Sequence, residues 1–210
     1  MPLNMADYFT IRRVLPSCIL RSHETPMEDT MVRRAGVVVG ATFLTLSCAT
    51  PVHQTTGQWA PGMAVVATPK VVLLDIADGQ ERGQEATTGS GQAMVGALRD
   101  RLMGHTIAVQ TIQSVAIEQG YEEATRLGFD YMLRGVFTNW EDNATAWSGN
   151  PDRAEFAIEL YSVPDKRLAG SASHKVQASG FTLLTGTPMR FIPELADNTL
   201  GRLFGWPTVE

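Results

Sequence analysis

Hydrophobic and polar positions along the chain alternate between two periods, near 2 and near 3.6, and the switches between them mark out the elements. Val71-Val72-Leu73-Leu74 is an unbroken apolar run between Lys70 and Asp75, the signature of a strand covered on both faces. Ala77 to Gly89 is rich in Gly, Glu and Thr and reads as a loop. Met94, Ala97, Leu98, Arg101 and Leu102 then recur at helical spacing, which predicts a helix from Ser90, as its cap, to about Met103, stopped by Gly104. Thr106 to Thr111 reads as a second strand. Ser114 opens a second helix with Ile117, Tyr121, Ala124 and Leu127 on one face and Gly128 as its stop. Tyr131 to Trp140 reads as a third strand, and Asn150-Pro151-Asp152 as a turn.

The clearest alternation follows. Ala154, Phe156, Ile158 and Leu160 point one way while Arg153, Glu155 and Glu159 point the other, so this strand has one wet face. Pro164-Asp165-Lys166 is a hairpin turn, and Leu168 to Ala178 a weaker fifth strand of small residues. Ser179 to Met189 reads as a loop. Ile192, Leu195, Ala196, Thr199, Leu200 and Leu203 predict a closing amphipathic helix, with Pro193 tolerated in its first turn. The order β-α-β-α-β-β-β-α gives an α/β (α+β) domain: one mixed sheet of about five strands, parallel where β and α alternate and antiparallel in the final meander, with helices packed on it.

Upstream of the first strand the pattern changes. Arg33 and Arg34 follow Met31, and Ala35 to Leu46 then carries no charge. That run is far short of the roughly 20 residues that span a bilayer, and it matches the charged and apolar regions of a secretory signal peptide. Leu44-Thr45-Leu46-Ser47-Cys48 follows, and it resembles the lipobox of bacterial lipoproteins. The resemblance implies that the Cys48 thiol accepts diacylglycerol and that the chain is cut between Ser47 and Cys48. Acyl chains anchor by burying methylenes, at about 0.8 kcal/mol each. Residues 1–30 would then lie outside the mature protein, with Met31 as the start and Met27 as the alternative, 31–47 as signal peptide, 48–63 as a polar tether and 64–210 as a periplasmic domain. The same resemblance implies a sorting rule in which Asp after the cysteine marks inner-membrane retention, so Ala49 there implies the periplasmic face of the outer membrane.

Ile117 to Gly135 carries a helix ending in Ala-x-x-x-Gly, then Asp130-Tyr131 and an apolar strand. It is similar to the amino-terminal domain of TolB and to the α/β domains of curli-secretion and penicillin-binding-protein-activator lipoproteins. Trp140-Glu141-Asp142, the stretch Ala144 to Gly149 with Trp147, and Pro151-Asp152 resemble a family of proteobacterial lipoproteins whose domain has no assigned function. Gly89-Ser90-Gly91 fits that family too. The resemblance implies a fold and an address and brings no catalytic residues.

Composition narrows the chemistry. Across 210 residues, 17 Lys plus Arg stand against 22 Asp plus Glu, for a net charge of −5, so no basic excess exists to hold a phosphate backbone and no nucleic-acid partner is expected. Two cysteines exclude a disulfide scaffold and a Cys-rich metal site. His53 falls in the tether, His105 at a strand start and His174 on an edge-like strand. No HExxH or CxxC motif occurs, so neither a metal nor a cofactor is expected. Thr88-Gly89-Ser90-Gly91 lacks the GxSxG spacing of a nucleophile elbow.

The candidate binding loop is Trp140, Glu141, Asp142, Trp147 and Asp152, where aromatics stand among polar neighbours. The competing assignment has Trp140 closing the core, Trp147 packing over the sheet and the acids as solvated turn formers. Phe181, Leu183 and Leu184 form a second candidate surface or simple core cover. The functional expectation is a non-enzymatic, membrane-anchored envelope module with a protein or envelope partner. The alternative is a periplasmic hydrolase of a glycan or ester. It would need two carboxylates converging in a pocket near the Trp loop, or Ser90 within reach of His105 or His174.

Overall fold

A computed structural model describes residues 52–63, 66–143, 150–178 and 187–208. Among these residues six strands form one sheet: β1 (Val52–Trp59), β2 (Lys70–Leu74), β3 (Ala108–Ile112), β4 (Tyr131–Glu141), β5 (Arg153–Ser162) and β6 (Arg167–Gln177). Three α-helices accompany them in the described residues: α1 (Ser90–Gly104), α2 (Ile117–Leu127) and α3 (Ile192–Phe204), the last entered through a short 3-10 turn at Pro188–Phe191. The spatial order is β1-β6-β5-β4-β2-β3. β2 pairs in parallel with β3 and β4, and the remaining neighbours are antiparallel. The mixed α+β sheet is therefore as expected, with six strands in place of about five.

The sheet's start dictates where the helices go. The β2-α1-β3 crossover steps outward to the edge, and β3-α2-β4 steps back past β2. Right-handed crossovers running in opposite directions put their helices on opposite faces. The core divides accordingly. Val71 and Leu73 join Met94, Leu98, Leu102, Phe156, Ile158, Leu160, Leu195 and Leu200 under α1 and α3. Val72 and Leu74 join Ala124 and Met132 under α2. All four residues of the β2 run are fully buried, each contributing about 1.5–3 kcal/mol. Gly120 lets α2 close on the sheet, since a Cβ there would fall 2.3 Å from Met132 Sδ. β5 alternates as its sequence predicts, with Ala154, Phe156, Ile158 and Leu160 fully buried.

One assignment is corrected. Val52–Trp59, within the stretch read as a tether, is a strand paired antiparallel with β6 along its whole length. Its sheet-inward positions are His53, Thr55, Gly57 and Trp59, too polar to show an apolar period. Gly57 stands where a Cβ would meet Arg202 Cγ at 2.7 Å and Ala172 Cβ at 2.9 Å. Trp59 is fixed at the far end by an Nε1–H bond of 2.6 Å to the Leu203 carbonyl.

Two helix starts also differ from expectation. Gly89, in the left-handed region at φ 85, precedes α1, and Ser90 is fully buried. Ala116 precedes α2, with the Ser114 hydroxyl accepting from its amide at 3.1 Å. Ser47, Cys48, the signal segment, Trp147, Phe181, Leu183 and Leu184 lie outside the described residues. No helix among the described residues is long and apolar enough to cross a membrane.

Candidate functional site

The end of β4 and the start of β5 bring together most of the candidate loop. Trp140 is 2 % exposed and belongs to the core. Its indole N–H donates to Thr87 Oγ1 at 2.9 Å, and its ring meets Phe137 edge-on at 4.8 Å between centroids. The other face lies on Gly79, where a Cβ would come within 2.4 Å of the ring. A tryptophan enclosed in this way is a structural post and presents little surface to a partner.

Glu141, next along the strand, points out of the core. Its Oε1 accepts from Asn139 Nδ2 at 3.0 Å and its Oε2 from Arg153 at 3.1 Å. The Asn139 hydrogen bond foremost, then the Arg153 charge and further hydrogen bonds, outweigh desolvation and hold the carboxyl below the usual range. Asp152 is buried and closes the neck of the loop. One oxygen accepts the Asn143 amide at 3.0 Å, and the other pairs with Arg190 at 2.7 Å. The Asp142 amide donates to Glu81 Oε2 at 3.3 Å. Beside this neck lies an open hollow of about 610 Å³ lined by Glu81, Arg82, Phe137, Asn139, Trp140 and Glu141, among others. Two carboxylates therefore border one hollow, but Glu141 is held ionised. That suits hydrogen-bonding or cation recognition, whereas a general acid needs its proton affinity raised.

Ser90 occupies the N-terminus of α1 with its hydroxyl engaged. It donates to the Thr87 carbonyl at 2.7 Å and accepts the Gly79 amide at 2.8 Å. His105 is at the opposite end of the same helix, roughly 22 Å away along the axis at about 1.5 Å per residue. Its ring is stacked on Trp206 at 3.7 Å. The two do not meet.

The remaining histidines do converge. Antiparallel pairing sets Thr55 opposite His174 and His53 opposite Val176, so His53, Thr55 and His174 share one face of the sheet. The first turn of α3 lowers Glu194 onto that face. His53 Nδ1 lies 2.6 Å from Glu194 Oε1, and His174 Nε2 lies 2.9 Å from the same oxygen. Thr55 Oγ1 is 2.7 Å from His174 Nδ1. Nothing in the spacing of 53, 174 and 194 announces this cluster. The signal that could have found it is a recognised β1, whose alternation places His53 and Thr55 side by side.

No protein-family model matches the chain, and a comparison with curated proteins finds no match. Solved structures supply a fold. The chain is similar to PelC from Paraburkholderia phytofirmans, solved as a dodecamer, with a TM-score of 0.54 at 17% identity over 76% of this chain and 100% of that one. Lipoprotein GNA1162 from Neisseria meningitidis aligns at a TM-score of 0.40 and 10% identity over 53% of this chain and 84% of its own. A Xanthomonas campestris protein of the DUF330 family aligns at 0.40 and 13% identity, over 65% and 81% respectively.

Proposed function

We propose that the chain is a membrane-anchored bacterial lipoprotein, acylated at Cys48 after cleavage behind Ser47, whose domain serves as a non-enzymatic binding or assembly module on the periplasmic face of the outer membrane. The observation that carries this reading is the order Arg33-Arg34, uncharged Ala35 to Leu46, Ser47, Cys48. The domain's first strand opens at Val52, four positions beyond Cys48. At about 3.3–3.6 Å per residue that linker reaches at most about 14 Å, so the anchored domain sits against its membrane. A non-enzymatic role is supported by the engagement of the candidate groups: Ser90 is buried and doubly hydrogen-bonded, Asp152 is paired with Arg190, and Glu141 is held ionised.

The hollow beside Glu81 and Glu141 is the contact face we favour for the protein or envelope partner. A further copy of this chain is the first partner to consider, since the fold is shared with a protein solved as a dodecamer. Mass spectrometry of the membrane fraction tests the anchor. The reading requires an acylated amino-terminal Cys48, and Cys48→Ala must release the protein from membranes or leave its signal uncut. A wild-type protein whose Cys48 carries no acyl group, or a Cys48→Ala protein cut at the same place and membrane-bound like the wild type, overturns it. Crosslinking in cells from positions 82 and 147, against a surface control such as 166, tests the contact face.

A further inference from the structure

We infer that His53, His174 and Glu194 form a binding site for a divalent transition-metal ion of the zinc class, fastening edge strand β1 to helix α3. Three features carry the assignment, and none depends on the lipid anchor. The first is convergence. One ligand atom from each residue lies within 4.8 Å of the other two, and both imidazoles address the same carboxylate oxygen. Two imidazoles and one carboxylate are a donor set that zinc accepts, with bonds of about 2.0–2.2 Å and one position left for water. Around such an ion, ligand atoms stand about 3.3 Å apart, so the 2.6 and 2.9 Å contacts open slightly, and the two ring nitrogens, within 4.8 Å of each other, adjust to the same spacing as the ion replaces the bridging hydrogens.

The second feature is orientation. A ligating histidine is normally held by a hydrogen bond from its other nitrogen, and His174 Nδ1 has that partner in Thr55 Oγ1 at 2.7 Å. A hydroxyl both donates and accepts. Without metal, Thr55 donates to Nδ1 while Nε2–H faces Glu194. With metal, the ring proton moves to Nδ1 and is accepted by Thr55, which frees the Nε2 lone pair.

The third is access combined with rigidity. His174 is 1 % exposed and its position is fixed by β6, whereas the His53 side chain is 47 % exposed on the sheet edge. An ion can enter from the His53 side and keep a water there. β1 has a single sheet neighbour and is tied to α3 at its far end through Trp59, so a bond through His53 would tie its near end as well.

The test uses the full chain without a histidine tag and Zn2+ as the probe, in competition with a chromophoric chelator. One equivalent should bind, and thermal denaturation should move to higher temperature with added Zn2+. Thr55→Val should weaken binding about 10–100-fold, as loss of a ligand's hydrogen-bond partner does. His53→Ala and Glu194→Gln should weaken it further. His53 is half-exposed on an edge strand, so its variant keeps the fold, verifiable by an unchanged circular dichroism spectrum. Its loss of binding also separates this site from Cys18 and Cys48. Absence of binding at low micromolar Zn2+, or binding that His53→Ala and Glu194→Gln leave unchanged, overturns the proposal. Wild-type affinity in Thr55→Val overturns the orienting role of that hydroxyl.

Discussion

Asp78 and Gly91 are joined by a 2.7 Å hydrogen bond in which the Gly91 amide donates to Asp78 Oδ1, although thirteen positions separate them. The other carboxylate oxygen takes the Gly89 amide at 3.1 Å. Helix α1 is thus capped from the preceding loop, and the carboxylate adds favourable charge at the positive end of the helix. Gly91 is required because a Cβ there would lie 2.0 Å from the Ile76 carbonyl oxygen. Asp78→Ala should therefore cost about 1–2 kcal/mol, the usual range for a lost cap, and Asp78→Asn less, because an acceptor remains. Urea denaturation followed by far-ultraviolet circular dichroism checks both, and a Asp78→Ala midpoint equal to wild type would remove the cap from the account.

Trp140 should behave as a post of the core. Trp140→Ala should cost about 3–5 kcal/mol, as large-to-small changes at buried aromatic sites do. Trp140→Phe should cost less and should lose the bond to Thr87 Oγ1. Thr87→Val in the Trp140→Phe background should then add little of its own, because the two groups act as a pair. A double-mutant cycle in urea measures that coupling. An Ala variant as stable as wild type would mean that the ring is displaced from Gly79 and free for a partner.

The parts of the fold legible in the sequence are those where one side-chain property repeats. The four apolar residues of β2 announce burial on both faces, and two core clusters claim them alternately. The Ala154 to Leu160 alternation marks β5 just as plainly. β1 escaped because its inward positions are filled by His53, Thr55 and Gly57, which carry polar contacts and a close approach in place of apolar packing. The Asp78 cap escaped because capping is sought in the residue next to the helix, and here it comes from a loop folded back. Of the candidate site, the Trp140-Glu141-Asp142 stretch was visible through its composition, while the His53, His174 and Glu194 cluster exists only once three distant segments meet.

Tyr161 gives an alkaline signature. Burial first, then the hydrogen bond its hydroxyl donates to Glu159 Oε2 at 2.8 Å and the Glu159 charge, push its pKa up to about 12 from 10.0. The folded state therefore keeps a proton that the unfolded chain releases. Its stabilisation is complete below pH 10 and is lost as pH rises through about 12. Ultraviolet titration of phenolate absorbance, wild type minus Tyr161→Phe, should show this ring ionising near pH 12. A difference curve centred at 10 would mean that the ring is neither buried nor bonded to Glu159 in solution.

Glu141 gives the opposite signature in acid. The folded protein favours its ionised form, chiefly through Asn139 and then Arg153, so its pKa is lowered. A depressed carboxyl stabilises the fold above its unfolded pKa, and that contribution fades as pH falls through the lower folded value. Glu141→Gln keeps the side chain's size while removing its charge. The loss in the variant should be full at pH 7 and should shrink steadily as pH falls below the ordinary carboxylate range. The size of the effect at pH 7 is limited, because the side chain is 30% exposed and its pair with Arg153 is solvated. Its direction is the diagnostic feature. Chemical denaturation of both proteins at intervals from pH 7 to pH 3 checks it, since the other carboxylates are common to both and cancel. A gap that widens towards acid would mean that Glu141 is protonated in the folded state, and would restore it as the proton donor that a glycan hydrolase requires.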